Sequence, residues 1–289
     1  MVNRPLVRRK AMLRLMGRLM PGMVLALIAE IIMLAVTFLM NACFNSFNVI
    51  LPKTEDLIST DAIKAYFIGL MEDKYALLKL ACIIAGAYLI GFIISAPLKF
   101  GTLRWYLNAA EDKTEPIGYA LNSYSSLKEI GRSIWIYLYT YLHYLKWALV
   151  TFLPAVGIIV AASFITAGGN PSLGVSVFLL GILVGLGLSV LYIYITNRFF
   201  LAPYIYAEGS VSAAEACRES TRMMRGQCGG LFIFRFSLVI VEFIATMFCY
   251  GAATIVAAPY INMCEASYAA ELLFGSSEPK QEKVEYTVE

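Results

Sequence analysis

The chain has 289 residues, of which 60% are hydrophobic and 15% are charged, with a formal net charge of +3. Soluble domains carry about 25% charged and about 45–50% apolar residues, so this much apolar surface cannot be buried in one aqueous globule. The excess lies in long apolar runs, which are typical of integral membrane proteins and exclude an ordinary soluble domain.

Residues 1–22 form a basic N-terminal segment with six Lys and Arg residues and no acidic residue. From residue 9 to residue 20 the basic residues alternate with Met and Leu at helical spacing, which predicts an amphipathic helix on an anionic membrane surface. A basic segment before the first span also keeps the N-terminus in the cytoplasm.

Six apolar stretches are long enough to span a membrane, since about 20 residues cross the hydrocarbon. They cover residues 23–44, 76–96, 133–166, 173–196, 231–250 and 251–274. We expect the second span to end at Pro97. Pro154 predicts a break in the third span and Pro259 an interruption of the sixth, because proline removes a backbone N–H and kinks a helix. A five-span alternative, without the sixth, would place the C-terminus outside.

The basic residues are distributed unevenly between the spans. Intervals 1–22, 99–132 and 198–230 hold six, five and four of them, whereas intervals 45–75 and 167–173 hold three and none. This bias predicts an all-α, polytopic helical bundle of about six transmembrane helices with both termini cytoplasmic. The expected divisions are a basic segment (1–22), a single transmembrane domain (23–274) and an acidic, disordered tail (275–289).

Residues 201–230 form a polar interval between two apolar runs and carry the signals of a short helix. Ser212 and Glu215 have the spacing of a capping box, in which each side chain satisfies a free backbone N–H at the helix start. Gly226 predicts the end of the helix, because glycine adopts the left-handed conformation at little cost.

Three arginines of this interval, Arg218, Arg222 and Arg225, are spaced to share one helix face. Two interpretations remain open. The face is a candidate contact for lipid phosphates, since basic clusters at a cytoplasmic interface attract anionic headgroups. Alternatively, the arginines act only as an orientation signal on a solvated helix.

Ionisable residues inside the spans are the candidate site residues. Glu30, Lys146 and Glu242 stand out, with Glu265 in the last span and Arg235 nearer a span end. Such residues are expensive in hydrocarbon and usually face a bundle interior or a water path. One interpretation is a proton or cation site using Glu242 and Glu30, with Lys146 as partner. The alternative is a structural pair, or carboxylates kept neutral by burial.

No catalytic, cofactor or metal site is predicted. The six cysteines contain no C-x-x-C pair, and the only histidine, His143, lies in a tyrosine-rich stretch. Zinc sites need clustered Cys and His, and hydrolytic nucleophiles need a base within reach. We therefore expect a protein without enzymatic activity.

An Ala-Pro pair recurs three times after an apolar run, at residues 96–97, 202–203 and 258–259, and Ala-Ala-Glu follows each pair within about fifteen residues. Internal duplication and chance in an alanine-rich chain both account for this.

A resemblance is carried by Ala202-Pro203-Tyr204, Glu215-Ala216, Ser220, Arg222-Met223-Met224, Gly226, Leu231-Phe232, Ser237, Pro259-Tyr260 and Tyr268. Their order resembles an uncharacterised family of bacterial multi-pass membrane proteins (DUF nine-seven-five type), which is similar to the membrane domain of some glycerophosphodiester phosphodiesterases. The resemblance is best over residues 195–274 and implies a helical membrane domain with no established chemistry. The chain departs from the family pattern at residues 239–242, where glycine and tryptophan would be expected.

The sequence thus favours a non-enzymatic integral protein of the bacterial cytoplasmic membrane, with a structural or accessory role in the cell envelope or its lipid environment. The alternative is a small transporter or permease subunit whose intramembrane carboxylates bind a proton or cation. Expected partners are anionic lipid headgroups and a membrane protein or second copy of the chain, and no nucleic acid.

Overall fold

A computed structural model describes residues 2–46, 75–209, 211–249 and 252–275. Across these ranges the chain is all-helical, without a strand. Most of the predicted outer segment 45–75 and nearly all of the predicted tail lie outside them. The helices are α1 (Arg4–Leu15), α2 (Leu19–Ser46), α3 (Ala76–Ala110), α4 (Gly118–Leu121), α5 (Leu127–Ala167), α6 (Pro171–Thr196), α7 (Ala202–Ala207), α8 (Ala213–Met223), α9 (Cys228–Cys249) and α10 (Ala252–Phe274).

Four segments of the described chain are long and apolar enough to cross a membrane. They are α2, most of α3, α5, and the segment from Ser172 to Ala207 that contains α6 and α7. A fifth crossing results if α8 and α9, which are bent by 96° at the break between them, are counted together. The prediction of an all-helical protein with several helices long and apolar enough to span a membrane is confirmed.

Helix α10 is the most enclosed of the long helices in the described bundle. It packs against α1, α2, α3 and α9, and Met263, Cys264 and Tyr268 are almost fully buried. A helix surrounded by protein need not be uniformly apolar, because its polar side chains meet other side chains instead of lipid. This explains why α10 carries Asn262 and Glu265 while the outer helices are more hydrophobic.

Proline ends none of the long helices, so the three expected breaks are wrong. Helix α3 continues past Pro97 to Ala110, α5 runs unbroken through Pro154, and α10 through Pro259. A proline within a packed helix removes one backbone bond, and neighbouring groups can satisfy the freed carbonyls. Near Pro97 the hydroxyl of Tyr124 donates to the carbonyl oxygen of Ile94, next to the carbonyl of Ile93 that the proline leaves without its helical partner.

The three basic intervals meet at one end of the bundle. Arg14 Nε lies 3.3 Å from Asp112 Oδ1 and joins the first interval to the second, and Arg132 Nη2 donates to the carbonyl oxygen of Tyr206 (3.3 Å) and joins the second to the third. At the same end, Lys10 Nζ lies 3.6 Å from Glu271 Oε2 of α10. Helix α1 is part of this end, because Val7, Ala11 and Leu15 are buried in the core that includes α10. Its Leu6 and Leu13 remain exposed, so a second face is available to lipid.

The capping box and the helix end that were predicted in residues 201–230 are confirmed. The Ser212 hydroxyl accepts from the backbone N–H of Glu215 (3.3 Å), and the Glu215 carboxylate accepts from the N–H of Ser212 (2.9 Å). The backbone N–H and the hydroxyl of Ser212 both donate to the Glu215 carboxylate and lower its pKa, because they stabilise the charged form. Gly226 has φ +78°, in the left-handed region, and lies at the sharp bend between α8 and α9.

Ser220 joins α8 to the break between α6 and α7. Its hydroxyl donates to the carbonyl of Arg198 (2.7 Å) and accepts from the N–H of Leu201 (3.1 Å), and the residue is fully buried. Two backbone groups that the helix break leaves unpaired are thereby satisfied.

Ser220→Ala is expected to destabilise the protein by about 1–3 kcal/mol, because both backbone groups lose a buried partner. The measurement is thermal unfolding in detergent micelles. Ser189→Ala is the matched control, since the Ser189 hydroxyl bonds only to the carbonyl of Gly185 within its own helix. Equal melting temperatures for the two variants would contradict the role given to Ser220.

Candidate functional site

A cavity of about 450 Å³ lies among α2, α3, α5, α7, α9 and α10. Known ligand cavities have volumes of roughly 300–1,000 Å³. Helical spacing brings several side chains each of α2, α3, α5 and α10 to this space, whereas Arg235 comes from α9. Helix α5 contributes Tyr137, Tyr141 and Tyr144, and α10 contributes Asn262 and Glu265.

An ion pair between Arg235 of α9 and Glu265 of α10 forms part of the cavity wall. The Nε of Arg235 donates to Glu265 Oε1 at 2.8 Å, and its Nη1 donates to Asn197 Oδ1 at 3.3 Å. The guanidinium carbon also lies 4.6 Å from the ring centroid of Phe200, within the range of a cation–π interaction. Such additional contacts are needed to offset the loss of hydration of a partly buried pair.

The pair has unused hydrogen-bonding capacity. Arginine carries five N–H donors, and Nη2 of Arg235 has no hydrogen-bond partner among the residues that the structure describes. The side chains of Arg235 and Glu265 are 35% and 25% exposed. A polar ligand in the cavity can therefore contact this pair without breaking it.

Two further charged side chains line the cavity, Glu30 from α2 and Lys99 from α3. Both are exposed. Within the described ranges, neither takes part in an ion pair or a side-chain hydrogen bond. The cavity thus holds one satisfied pair and two charges of opposite sign that are open to a ligand.

Of the three intramembrane residues predicted from the sequence, only Glu30 lines the cavity. Lys146 is exposed on α5 and forms no ion pair with Glu30 or Glu242 in the described part of the chain. Two residues correspond to about 200° of helix rotation, so Lys146 points away from the face that bears Tyr144. Glu242 is half-buried on α9, about 10 Å along the helix axis from Arg235.

The arginine face of α8 lies apart from this cavity. Arg218, Arg222 and Arg225 are all exposed, and Arg222 Nη2 pairs with Glu219 Oε1 at 2.5 Å. The opposite face of the helix, including Ala216, is buried. Arg218 and Arg222 lie one turn apart on α8, whereas Arg225 follows the end of the helix at Met223. Whether these arginines bind lipid phosphates stays a prediction.

Several cavity residues were not recognised from the sequence. Arg235 and Glu265 stood out singly, but their pairing did not, because thirty residues separate them. The tyrosines of α5 have the spacing of an interfacial aromatic belt, yet their i, i+4, i+7 pattern also describes a single lining face. The Ala-Pro segments were a further signal, since Leu98, Pro203 and Ala258 all line the cavity.

No group of three or more His, Cys, Asp or Glu side chains in the described ranges is arranged to hold a metal ion. His143 instead lies between aromatic rings, with its centroid 4.8 Å from Tyr139 and 5.1 Å from Phe199. Its Nδ1 is 3.0 Å from the carbonyl oxygen of Tyr139. The ligand-binding properties of the cavity are therefore argued from its charged and aromatic side chains.

Comparison of the chain with protein-family models, with curated proteins and with solved structures finds no match. The family resemblance therefore stays a prediction, and function is inferred from the cavity.

Proposed function

We propose that this chain is an integral protein of the bacterial cytoplasmic membrane that binds a small polar molecule in the cavity and passes it across the membrane. It would act as a small transporter or permease subunit without a catalytic step. The observation that supports this is the convergence of Glu30, Lys99, Arg235 and Glu265 on one cavity. Intramembrane ionisable residues that face a shared cavity commonly mark a substrate or ion pathway.

We further propose six crossings with both termini cytoplasmic. Antiparallel packing of α9 and α10 supports this: the rings of Phe234 and Tyr268 are 5.0 Å apart, and Glu271 near the end of α10 reaches Lys10. The chain would thus return to the end where the basic intervals meet. By the positive-inside rule, that end is cytoplasmic.

Cysteine labelling tests whether water and solutes reach the cavity. Ala29 of α2 lines the cavity, and Ala35 of the same helix is exposed but does not. Each is changed to cysteine in a background whose six native cysteines are replaced by alanine. The probe is a membrane-impermeant thiol reagent, applied separately to the inner and outer faces of vesicles.

We expect Ala29→Cys to be modified from both faces, because a transporter exposes its site alternately to the two sides. Ala35→Cys is expected to react slowly from either face, because a thiol in hydrocarbon does not form the reactive thiolate. Modification of Ala29→Cys from one face only, or from neither, would overturn transport through this cavity.

An accessory role in the lipid environment is the second candidate function. Exposed arginines on and just after α8 favour it, because Arg218 and Arg225 have no ion-pair partner among the described residues and are free to contact anionic headgroups. One-sided labelling of Ala29→Cys would favour this role over transport.

A further inference from the structure

The charged side chains of the cavity balance one another. Lys99 and Arg235 contribute two positive charges, and Glu30 and Glu265 contribute two negative charges. A charged group loses water when a bound molecule covers it, and this loss is expensive unless the group is paired. A wall whose described charges sum to zero therefore favours an occupant whose own charges also sum to zero.

The two unpaired charges define the polar ends of that occupant. Glu30 offers only acceptors when ionised and suits an ammonium group, whereas Lys99 offers only donors and suits a carboxylate or phosphate. They lie on different helices, α2 and α3, so one ligand that carries both groups would bridge them. The free Nη2 of Arg235 adds a second donor for the anionic group.

The rest of the wall favours an occupant with an apolar body. Leu25, Ala26 and Met33 of α2 line the cavity beside the charges. Tyrosines of α5 also line the cavity, and their rings attract ammonium groups at the face and pack against apolar groups. A simple inorganic ion would leave this apolar surface uncovered.

We propose that the cavity binds a small zwitterion with an apolar body, its ammonium group on Glu30 and its anionic group on Lys99. This rests on the proposed function, because it names the class of molecule that the cavity would carry. Two sources share this chemistry: a free amino acid, and the headgroup region of an aminophospholipid such as phosphatidylethanolamine.

The free zwitterion is tested with three probes of one shape on protein in phosphatidylglycerol nanodiscs. Leucine is zwitterionic, leucine methyl ester is cationic, and 4-methylpentanoate is anionic. Calorimetric titration is expected to show the tightest binding for leucine, because only leucine pairs with both Glu30 and Lys99.

Variants that replace one charge by a neutral side chain test the order of affinities for the three probes, and a misfolded protein would not reverse that order. Glu30→Gln is expected to weaken leucine binding about tenfold or more and to shift the preference towards 4-methylpentanoate. Lys99→Met is expected to weaken it similarly and to shift the preference towards the methyl ester. Glu242→Gln and Lys146→Met, the same substitutions outside the cavity, should leave the order of the three probes unchanged.

The lipid source is tested by comparing melting temperatures in phosphatidylethanolamine and phosphatidylglycerol nanodiscs. The site would be assigned to the lipid headgroup by two results together. Phosphatidylethanolamine would raise the melting temperature of the parent protein but not of Glu30→Gln, and leucine would not bind. The proposal is overturned if neither zwitterion is preferred, or if the Glu30 and Lys99 variants keep the order of the parent protein. If either of these two overturning results is found while Ala29→Cys is labelled from both faces, the proposed transport function still stands and only the zwitterion is rejected.

Discussion

Arg235→Leu is expected to lower the free energy of unfolding by about 3 kcal/mol, because it leaves Glu265 partly buried without its partner. The substitution also removes the hydrogen bond to Asn197 and the contact with Phe200. Thermal unfolding in nanodiscs, followed by circular dichroism, measures the loss. Glu265→Gln should cost less, because glutamine is uncharged and still offers Arg235 an acceptor.

A double-mutant cycle separates the ion pair from the packing of Arg235. The combined variant Arg235→Leu with Glu265→Leu is expected to be more stable than Arg235→Leu alone, because no charge then remains unpaired. Arg222→Leu is the surface control: its pair with Glu219 is exposed, and such pairs contribute only about 0–1 kcal/mol. If Arg235→Leu melts at the temperature of Arg222→Leu, the pair does not support the cavity.

Gly101→Ala is expected to destabilise the protein by about 3 kcal/mol or more, through a steric clash between backbone segments. A Cβ atom at Gly101 would lie 1.7 Å from the carbonyl oxygen of Ala120 and 2.7 Å from its carbon. Because both are backbone atoms, α3 and α4 must separate to admit the methyl group, and overpacking that moves backbone is costly. Lower melting temperature and reduced yield of monodisperse protein are the measurements.

Gly86→Ala is the matched control on the same helix. A Cβ atom there meets no atom within 4 Å, and alanine favours a helix over glycine by about 0.8–1.0 kcal/mol. Its melting temperature should therefore equal or exceed that of the parent protein. A Gly101→Ala protein as stable as Gly86→Ala would contradict the close approach of α3 and α4.

The helix boundaries show which local signals were decisive. The capping box at Ser212 and the left-handed Gly226 were predicted correctly, because each depends on backbone groups only a few residues away. The expected helix end at Pro97 and the expected interruptions at Pro154 and Pro259 were wrong. Whether a proline ends a helix depends on which neighbours can satisfy the freed carbonyls, and these come from other parts of the chain.

Some residues of the candidate site were likewise recognisable from local sequence, and others were not. Glu30 was singled out because an acidic residue in an apolar run is locally conspicuous, and it does line the cavity. Lys146 was equally conspicuous, yet its position on α5 turns it away from the cavity-lining tyrosines. Lys99 was counted in the basic interval 99–132, outside the spans, because nothing near it in the sequence indicates that α2 and α3 enclose a cavity.

The sequence by itself determined the composition of an all-helical membrane protein, the basic bias of alternate intervals and the caps of α8, since each follows from residue type and short-range spacing. Only the tertiary structure decided that Arg235 pairs with Glu265 and that Glu30 and Lys99 share a cavity with them. The physical reason is that helical periodicity assigns a residue to a face of its own helix. Which faces meet is set by the packing of α2, α3, α5, α9 and α10, whose cavity residues are separated by up to about 240 positions along the chain.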